Sequence, residues 1–180
     1  MIWPLSVLLI AWLAICTLHD WLWQEVPNRL TLPLLAAAAL GRLAGGTWQT
    51  PGLIVLLIGT AELSARVQWG RRLRLPVAVA LSLLAVCLAL PDLELALGLL
   101  AIGGVYLVWL LGGMGGADAK LLFALVLLLG AGVLVPITLI GGVQAVITRL
   151  ISQQKQMPYL IAILGGTLLD LILLYIPKSA

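Results

Sequence analysis

Residues 93–134 read LELALGLLAIGGVYLVWLLGGMGGADAKLLFALVLLLGAGVL, and this stretch decides the fold class. Two apolar runs, at 93–112 and 118–134, flank a segment in which four glycines precede Asp118. Each run approaches the roughly 20 apolar residues that a helix needs to cross about 30 Å of hydrocarbon. The stretch therefore predicts two membrane-spanning helices joined by a glycine-rich break.

The same pattern continues on both sides of this stretch. The chain has 180 residues, of which 63% are hydrophobic and 9% charged, whereas ordinary soluble domains carry roughly 25% charged residues. Eight apolar runs lie near residues 2–18, 29–44, 52–66, 75–90, 93–112, 118–134, 135–149 and 158–177. We expect an all-α, polytopic transmembrane helix bundle of about eight spans, forming one domain over residues 1–180. Six spans are the alternative, because the runs at 52–66 and 135–149 are short.

Other features of the composition exclude several classes of protein. Cys16 and Cys87 lie in apolar runs without CxxC spacing or a nearby His cluster, so neither a metal site nor a disulfide framework is expected. The net charge of +3 is spread over short loops, which argues against nucleic-acid binding. The first run begins at Ile2 without a basic segment before it, and we expect it to be retained as a span.

The basic residues predict the orientation of the chain in the membrane. With the N-terminus outside, cytoplasmic loops would hold eight of the ten Lys and Arg residues: Arg29, Arg66, Arg71, Arg72, Arg74, Lys120, Arg149 and Lys155. Only Arg42 and Lys178 would lie on the opposite side. This bias fits the positive-inside rule and predicts a multi-pass protein of the cytoplasmic (inner) membrane.

Acidic side chains are the candidate functional residues, since a charge at mid-bilayer costs at least about 2.5 to 3.5 kcal/mol on insertion scales. Four of the seven acids lie at or within apolar runs: Asp20, Glu62, Asp118 and Asp170. In the predicted topology Asp20 and Asp118 both reach the cytoplasmic face, where they can meet. Two adjacent carboxylates cannot both ionise cheaply, so one keeps a proton while the other deprotonates a water. This is the chemistry of aspartic peptide hydrolysis.

The glycines before Asp118 suggest contact with a peptide. Each glycine costs about 1 kcal/mol relative to Ala within a helix. A glycine-rich break lets a peptide backbone approach closely, and its exposed amides can bind an extended peptide by strand addition. We therefore expect the break to lie against the substrate.

Three segments together resemble one known family. They are Asp20 with VPNRLTLP at 26–33, GGMGGADAK at 112–120 and QKQMPYLIAILGG at 154–166. In this order they resemble the prepilin leader peptidases, the type IV prepilin and preflagellin peptidase family of GxGD-type intramembrane aspartic peptidases. The resemblance covers about half of the chain. It implies that the catalytic residues are Asp20 and Asp118, with an active site at the cytoplasmic face and no metal or organic cofactor.

Residues near the two aspartates are also expected to shape the site. The GxGD element falls on residues 115–118, where Ala117 replaces the usual second glycine. Lys120 would orient substrate or anchor the loop, and Pro27 with Asn28 would shape the turn into the second helix. The residues expected to shape the site or bind substrate are Gly113, Gly115, Gly116, Ala117, Lys120, Pro27 and Asn28.

The implied partners are the lipid bilayer and a membrane-anchored precursor, either a Flp-type prepilin or an archaellin-like preflagellin. The enzyme would cleave the short cytoplasmic leader of this precursor. Larger family members carry a cysteine-rich segment and methylate the new N-terminus, whereas this chain has no paired CxxC, so we expect peptidase activity alone. The region 51–90 resembles an extra helical pair relative to the shorter members. The sequence leaves the oligomeric state open.

Simpler structural roles remain for each acid. Asp20 would be a helix-end residue in water, and Asp118 an N-cap worth roughly 1 kcal/mol. Glu62 lies four residues before Arg66, the spacing of a helical ion pair. Asp170 has no such partner in the sequence.

Two further functional classes are compatible with parts of the pattern. A proton-coupled transporter would use the same carboxylates as a relay and would show two broken helices in an inverted repeat. The sequence has one glycine-rich break and no convincing repeat. A structural scaffold would need no paired acids, so unchanged function after substitution of both aspartates would select it.

Overall fold

The computed structural model describes residues 3–66, 68–151 and 159–175. Over this part of the chain the fold is all-helical, without strands, and the predicted all-α class is confirmed. The α-helices are α1 (Trp3–Trp23), α2 (Asn28–Ala44), α3 (Gln49–Arg66), α4 (Gln68–Ala89), α5 (Leu93–Leu110), α6 (Gly116–Leu129), α7 (Leu134–Ile151) and α8 (Tyr159–Tyr175). A 3-10 helix, Ala131–Val133, separates α6 from α7.

Two of the described helices are long and apolar enough to cross a membrane. These segments are Pro4–Trp23 in α1 and Leu93–Leu110, which is all of α5. Four shorter apolar helical segments are Gln49–Thr60, Leu75–Ala89, Ala131–Val146 and Tyr159–Leu174. The length and composition of α1 and α5 thus support membrane association.

The end of α6 differs from the sequence prediction. The sixth apolar run continues to residue 134, but α6 ends at Leu129. The next residue, Gly130, has a φ of 91° and donates its N–H to the carbonyl of Val126. Because glycine adopts positive φ at little cost, Gly130 ends the helix inside an uninterrupted apolar run.

The starts of α3 and α4 also precede the predicted positions. α4 begins at Gln68 instead of residue 75, so most of the predicted loop at 67–74 is helical. Gln and Arg are good helix formers, and a helix continues readily beyond its apolar segment. α3 begins at Gln49 instead of residue 52. Pro51 falls in its first turn, where the missing N–H costs no hydrogen bond.

The chain forms two compact units, and the first comprises Met1–Thr31 and Gly132–Ala180. In this unit α8 packs against both α1 and α7. The contact with α7 is close at Gly166, where an added Cβ would lie 2.5 Å from the Cα of Ile137. Small residues therefore let the backbones of α7 and α8 approach each other.

The second unit, Leu32–Ala131, contains the remainder of α2 and helices α3 to α6. Within it α5 packs against α3, α4 and α6. Every side chain of α6 from 121 to 127 is buried, as expected for a helix that is apolar all round. Near the C-terminal end of α6, the Arg42 guanidinium donates from Nε to the carbonyl of Leu127 at 2.5 Å. A cation at this end complements the helix dipole.

Candidate active site

A glycine turn ends α5 and leads to Asp118. Gly112 has a φ of 77° and donates its N–H to the carbonyl of Trp109 at 3.0 Å. Gly113 donates to the carbonyl of Val108 at 2.8 Å. These two bonds, with a left-handed glycine just beyond the helix, form the Schellman motif that commonly terminates helices. The turn thereby satisfies two of the last free carbonyls of α5.

Two of the four glycines are therefore required by the turn itself. Gly112 occupies a left-handed conformation that side chains disfavour. An added Cβ at Gly113 would lie 2.9 Å from Cγ1 of Val108 and 3.2 Å from its carbonyl oxygen. The sequence interpretation, in which this glycine break served the substrate, missed the role of Gly112 and Gly113 in ending α5.

Asp118 lies in the first turn of α6. Gly115 is the N-cap, with φ −70° and ψ 155°, and Asp118 occupies the third helical position. The Oδ2 atom of Asp118 accepts a hydrogen bond from the N–H of Gly115 at 3.3 Å. A carboxylate at this position satisfies a free backbone donor and complements the positive end of the helix dipole. The predicted N-cap role of Asp118 is thus corrected: Gly115 is the cap, and Asp118 bonds back to it.

Gly115 lies against the Asp118 carboxylate, and Gly116 lies against Trp109. An added Cβ at Gly115 would lie 3.2 Å from Oδ2 of Asp118, and one at Gly116 would lie 3.5 Å from Nε1 of Trp109. Ala117 is half-buried within α6, and no positive φ is found there. An ordinary helical φ explains why Ala can replace the glycine of the GxGD element. Lys120 follows, also half-buried, on the same helix.

Trp109 is a site residue that the sequence interpretation missed. Its indole is half-buried in the last turn of α5 and lies next to Gly116. The ring of Tyr106, which is fully buried, packs edge-on against it with 5.5 Å between ring centroids. The signal in the sequence is that Trp109 lies three residues before Gly112, in the last turn of α5. The turn at Gly112 brings the start of α6 back towards that turn.

Asp20 lies in the last turn of α1, half-buried. Its carbonyl accepts the N–H of Gln24 at 2.7 Å, and Gln24 has a φ of 54°, so the chain leaves α1 through a left-handed residue. The neighbouring His19 donates from Nδ1 to the carbonyl of Glu25 at 2.6 Å. The ring of His19 also packs against Trp23. His19 therefore fixes the loop that follows Asp20.

The turn into α2 is held by backbone and side-chain bonds. Leu30 donates its N–H to the carbonyl of Pro27 at 2.9 Å, and α2 begins at Asn28. Trp12 on α1 donates from Nε1 to the carbonyl of Leu30 at 2.8 Å. Thr31 is fully buried, and its hydroxyl lies 3.5 Å from the carbonyl of Asn28. These contacts tie the start of α2 to α1, so Pro27 and Asn28 lie at a defined turn.

The predicted site residues thus fall into two groups. Gly113, Gly115, Gly116, Ala117, Asp118 and Lys120 lie together in the second unit, and Asp20, Pro27 and Asn28 lie together in the first.

Two further predictions concern the other acids and the third resembling segment. The side chains of Glu62 and Arg66 lie outside the described part of the chain, as do residues 154–158 of the segment 154–166. Asp170 is half-buried in α8. Over the described residues, no group of three or more His, Cys, Asp or Glu side chains is placed to hold a metal ion.

Comparison with models of known protein families, with curated proteins and with solved structures finds no match to this chain.

Proposed function

We propose that this protein is an intramembrane aspartic endopeptidase that removes the short cytoplasmic leader of Flp-type prepilins or archaellin-like precursors. The observation that carries the proposal is the placement of Asp118. A helix start built from a glycine turn holds its carboxylate, and the turn leaves Gly112, Gly113 and Gly115 exposed. The sequence resemblance supplies the second aspartate, Asp20, at the end of α1.

The proposal includes a membrane topology. All eight helices cross the cytoplasmic membrane, with the N-terminus outside and the helix ends that carry most of the basic residues inside. The ends of α1 and α5 then face the cytoplasm, so Asp20 and Asp118 share one membrane depth. This topology requires short spans such as α6, which has 14 residues, to be accommodated by local thinning of the bilayer.

The proposed chemistry uses one water between two carboxyl groups. One ionised carboxylate takes a proton from the water, whose oxygen attacks the scissile carbonyl carbon, while the protonated partner donates to the carbonyl oxygen. Collapse of the tetrahedral intermediate breaks the C–N bond, and the new amine takes a proton from the pair. Asp118 is assigned the ionised role because its carboxylate accepts the Gly115 N–H at the positive end of α6. Asp20 is then the proton donor.

The exposed backbone before α6 supports a peptide substrate. Side chains are absent at Gly112, Gly113 and Gly115, so an extended chain can approach the backbone closely. The N–H groups of these three glycines are already bonded within the turn and the first turn of α6. In the prepilin leader peptidase family, which the sequence resembles, the leader of the substrate ends at Gly and precedes a hydrophobic helix. Such a precursor can reach the site sideways from the bilayer.

Co-expression with candidate precursors tests the proposal. The chain is expressed with tagged Flp-type and archaellin-like precursors, and the products are scored by gel mobility and N-terminal sequencing. We expect a shortened product whose new N-terminus follows a Gly. Precursors that keep their leaders in the presence of normal levels of the enzyme would contradict the proposal.

A further inference from the structure

Three buried hydroxyl groups in the second unit have no hydrogen-bond partner within the part of the chain that the structure describes. They are Oγ1 of Thr50, Oγ of Ser82 and the hydroxyl of Tyr106, in residues 9%, 7% and 0% exposed. An unsatisfied buried hydroxyl costs about 1 to 3 kcal/mol. Each of these groups needs an explanation, because buried polar groups in native proteins almost always have a partner.

The glycines of α5 show which helices two of these side chains approach it from. An added Cβ at Gly98 would lie 3.7 Å from Cγ2 of Thr50, so Gly98 faces α3. An added Cβ at Gly103 would lie 2.7 Å from Oγ of Ser82, so Gly103 faces α4. Thr50 and Ser82 therefore approach α5 from its two different neighbours.

Tyr106 points between these two neighbours. With about 100° of rotation per residue, Tyr106 lies on the arc of α5 between the directions of Gly103 and Gly98. It is about 4.5 Å along the axis from Gly103, at a rise of about 1.5 Å per residue. Helical side chains lean towards the N-terminus, which brings the Tyr106 hydroxyl back towards the level of Ser82. The hydroxyls of Ser82 and Tyr106 can thus meet at the junction of α4 and α5. Thr50 instead contacts Gly98 through its methyl group, about 7.5 Å further along α5 at a rise of about 1.5 Å per residue.

We propose that this junction binds ordered water, which bridges the hydroxyls of Ser82 and Tyr106. Buried waters typically make about three hydrogen bonds to otherwise unsatisfied groups. A rotation of Ser82 towards a carbonyl of its own helix would satisfy Ser82 alone. Bound water accounts for both the Ser82 and the Tyr106 hydroxyl.

The water has a consequence for the candidate active site. Tyr106 packs against Trp109, and Trp109 lies beside Gly116 at the start of α6. Water bonded to Tyr106 therefore helps to fix the Trp109 ring at the start of α6, near Asp118. This consequence rests on the proposed function, whereas the hydration of the junction does not.

X-ray hydroxyl-radical footprinting of the full-length protein in lipid nanodiscs tests the proposal, with bound water itself as the probe. Radicals formed from a bound water oxidise the side chain beside it, and mass spectrometry measures the rate. Phe123 is the matched internal control, because it is an aromatic residue 1% exposed in the apolar segment 121–127 of the same unit. Each rate is divided by that of the same residue in the unfolded chain.

We expect Tyr106 to be oxidised several times faster than Phe123. Ser82→Ala should lower the rate at Tyr106 towards that of Phe123, because it removes one of the groups that hold the water. Equal rates at Tyr106 and Phe123 in the wild-type protein would overturn the proposal. A rate at Tyr106 that Ser82→Ala leaves unchanged would overturn the bridge to Ser82. Both readouts are independent of cleavage, so they separate this proposal from the peptidase.

Discussion

The carboxylate of Asp118 accepts a hydrogen bond from the backbone N–H of Gly115, across the first turn of α6. A carboxylate in this position contributes roughly 1 kcal/mol to a helix whether or not it has a chemical role. The structure contains a second acid with a similar structural role. Asp92 is the N-cap of α5, and its Oδ1 accepts the N–H of Leu95 at 3.1 Å. Asp92 is therefore a natural control for every substitution at Asp118.

Gly113→Ala should destabilise the turn before Asp118. The new methyl group would meet Val108 at 2.9 Å, so the turn must shift, at a cost of about 1 to 3 kcal/mol. Thermal unfolding in detergent should show a lower midpoint, and cleavage should fall because the start of α6 moves. Gly104→Ala is the matched control, since nothing lies within 4 Å of that position. It should be neutral or stabilising by up to about 1 kcal/mol. Equal midpoints for the two variants would contradict the crowding at Gly113.

Ala117→Gly should leave cleavage nearly unchanged, whereas Ala117→Leu and Ala117→Val should reduce it sharply. The helical φ at this position needs no glycine, but the position precedes Asp118 in a turn proposed to face the peptide. Val adds branching at Cβ and Leu adds volume without it, so the pair separates stiffness from bulk. Cleavage rates on one precursor provide the measurement. Full activity of Ala117→Leu would show that the peptide does not lie against this turn.

Gly166→Ala should strongly destabilise the packing of α7 on α8. Its Cβ would lie 2.5 Å from the Cα of Ile137, and a backbone atom cannot move aside by rotation. The expected loss is at least about 1 to 3 kcal/mol. Gly165→Ala is the control, because its nearest neighbour is Cδ1 of Ile140 at 3.5 Å, an ordinary contact with a flexible side chain. Unfolding midpoints of the two variants should differ clearly, and a well-folded Gly166→Ala would refute the close helix contact.

Cysteine labelling should confirm the proposed orientation. On a background without Cys16 and Cys87, single cysteines at 67–74 and 150–156 should react only after the cells are opened. Cysteines at 46–48 and 91–92 should react with an impermeant maleimide on intact cells. The physical basis is the excess of basic residues in the first set of segments. Labelling of 67–74 from outside would reverse the orientation and remove the shared depth of Asp20 and Asp118.

The helical class and the number of helices were predictable from sequence because apolar runs are separated by Gly, Pro and charged residues. The ends of the helices were less predictable. Gly130 ends α6 within an apolar run, where only a single glycine marks the boundary. Gln68 begins α4 in a charged segment that a hydropathy pattern assigns to a loop, although its residues favour helix.

The candidate site was predictable where local chemistry decides it. The turn between α5 and α6 follows from its glycines, and Asp118 was expected at a helix start. The residue that forms the N-cap of α6 was not predictable, because Gly115 and Asp118 are both compatible with the N-cap position. Hydrogen bonds between a helix and the loop that follows it, or between two different helices, leave no recognisable pattern in the local sequence. The bond from His19 to the Glu25 carbonyl and that from Trp12 to the Leu30 carbonyl are of this kind.

The central claim, that Asp20 and Asp118 form one catalytic pair, is tested most directly by four Asp→Asn substitutions in one cleavage assay. Each variant is co-expressed with a precursor that the wild-type protein processes, and its level in the membrane is measured in parallel. Asp20→Asn and Asp118→Asn should each abolish processing, because each removes half of a single proton-sharing unit. Asp92→Asn keeps a helix cap and Asp170→Asn alters an acid in α8, so both should process normally. Full processing by Asp20→Asn or Asp118→Asn at normal protein levels would contradict the account.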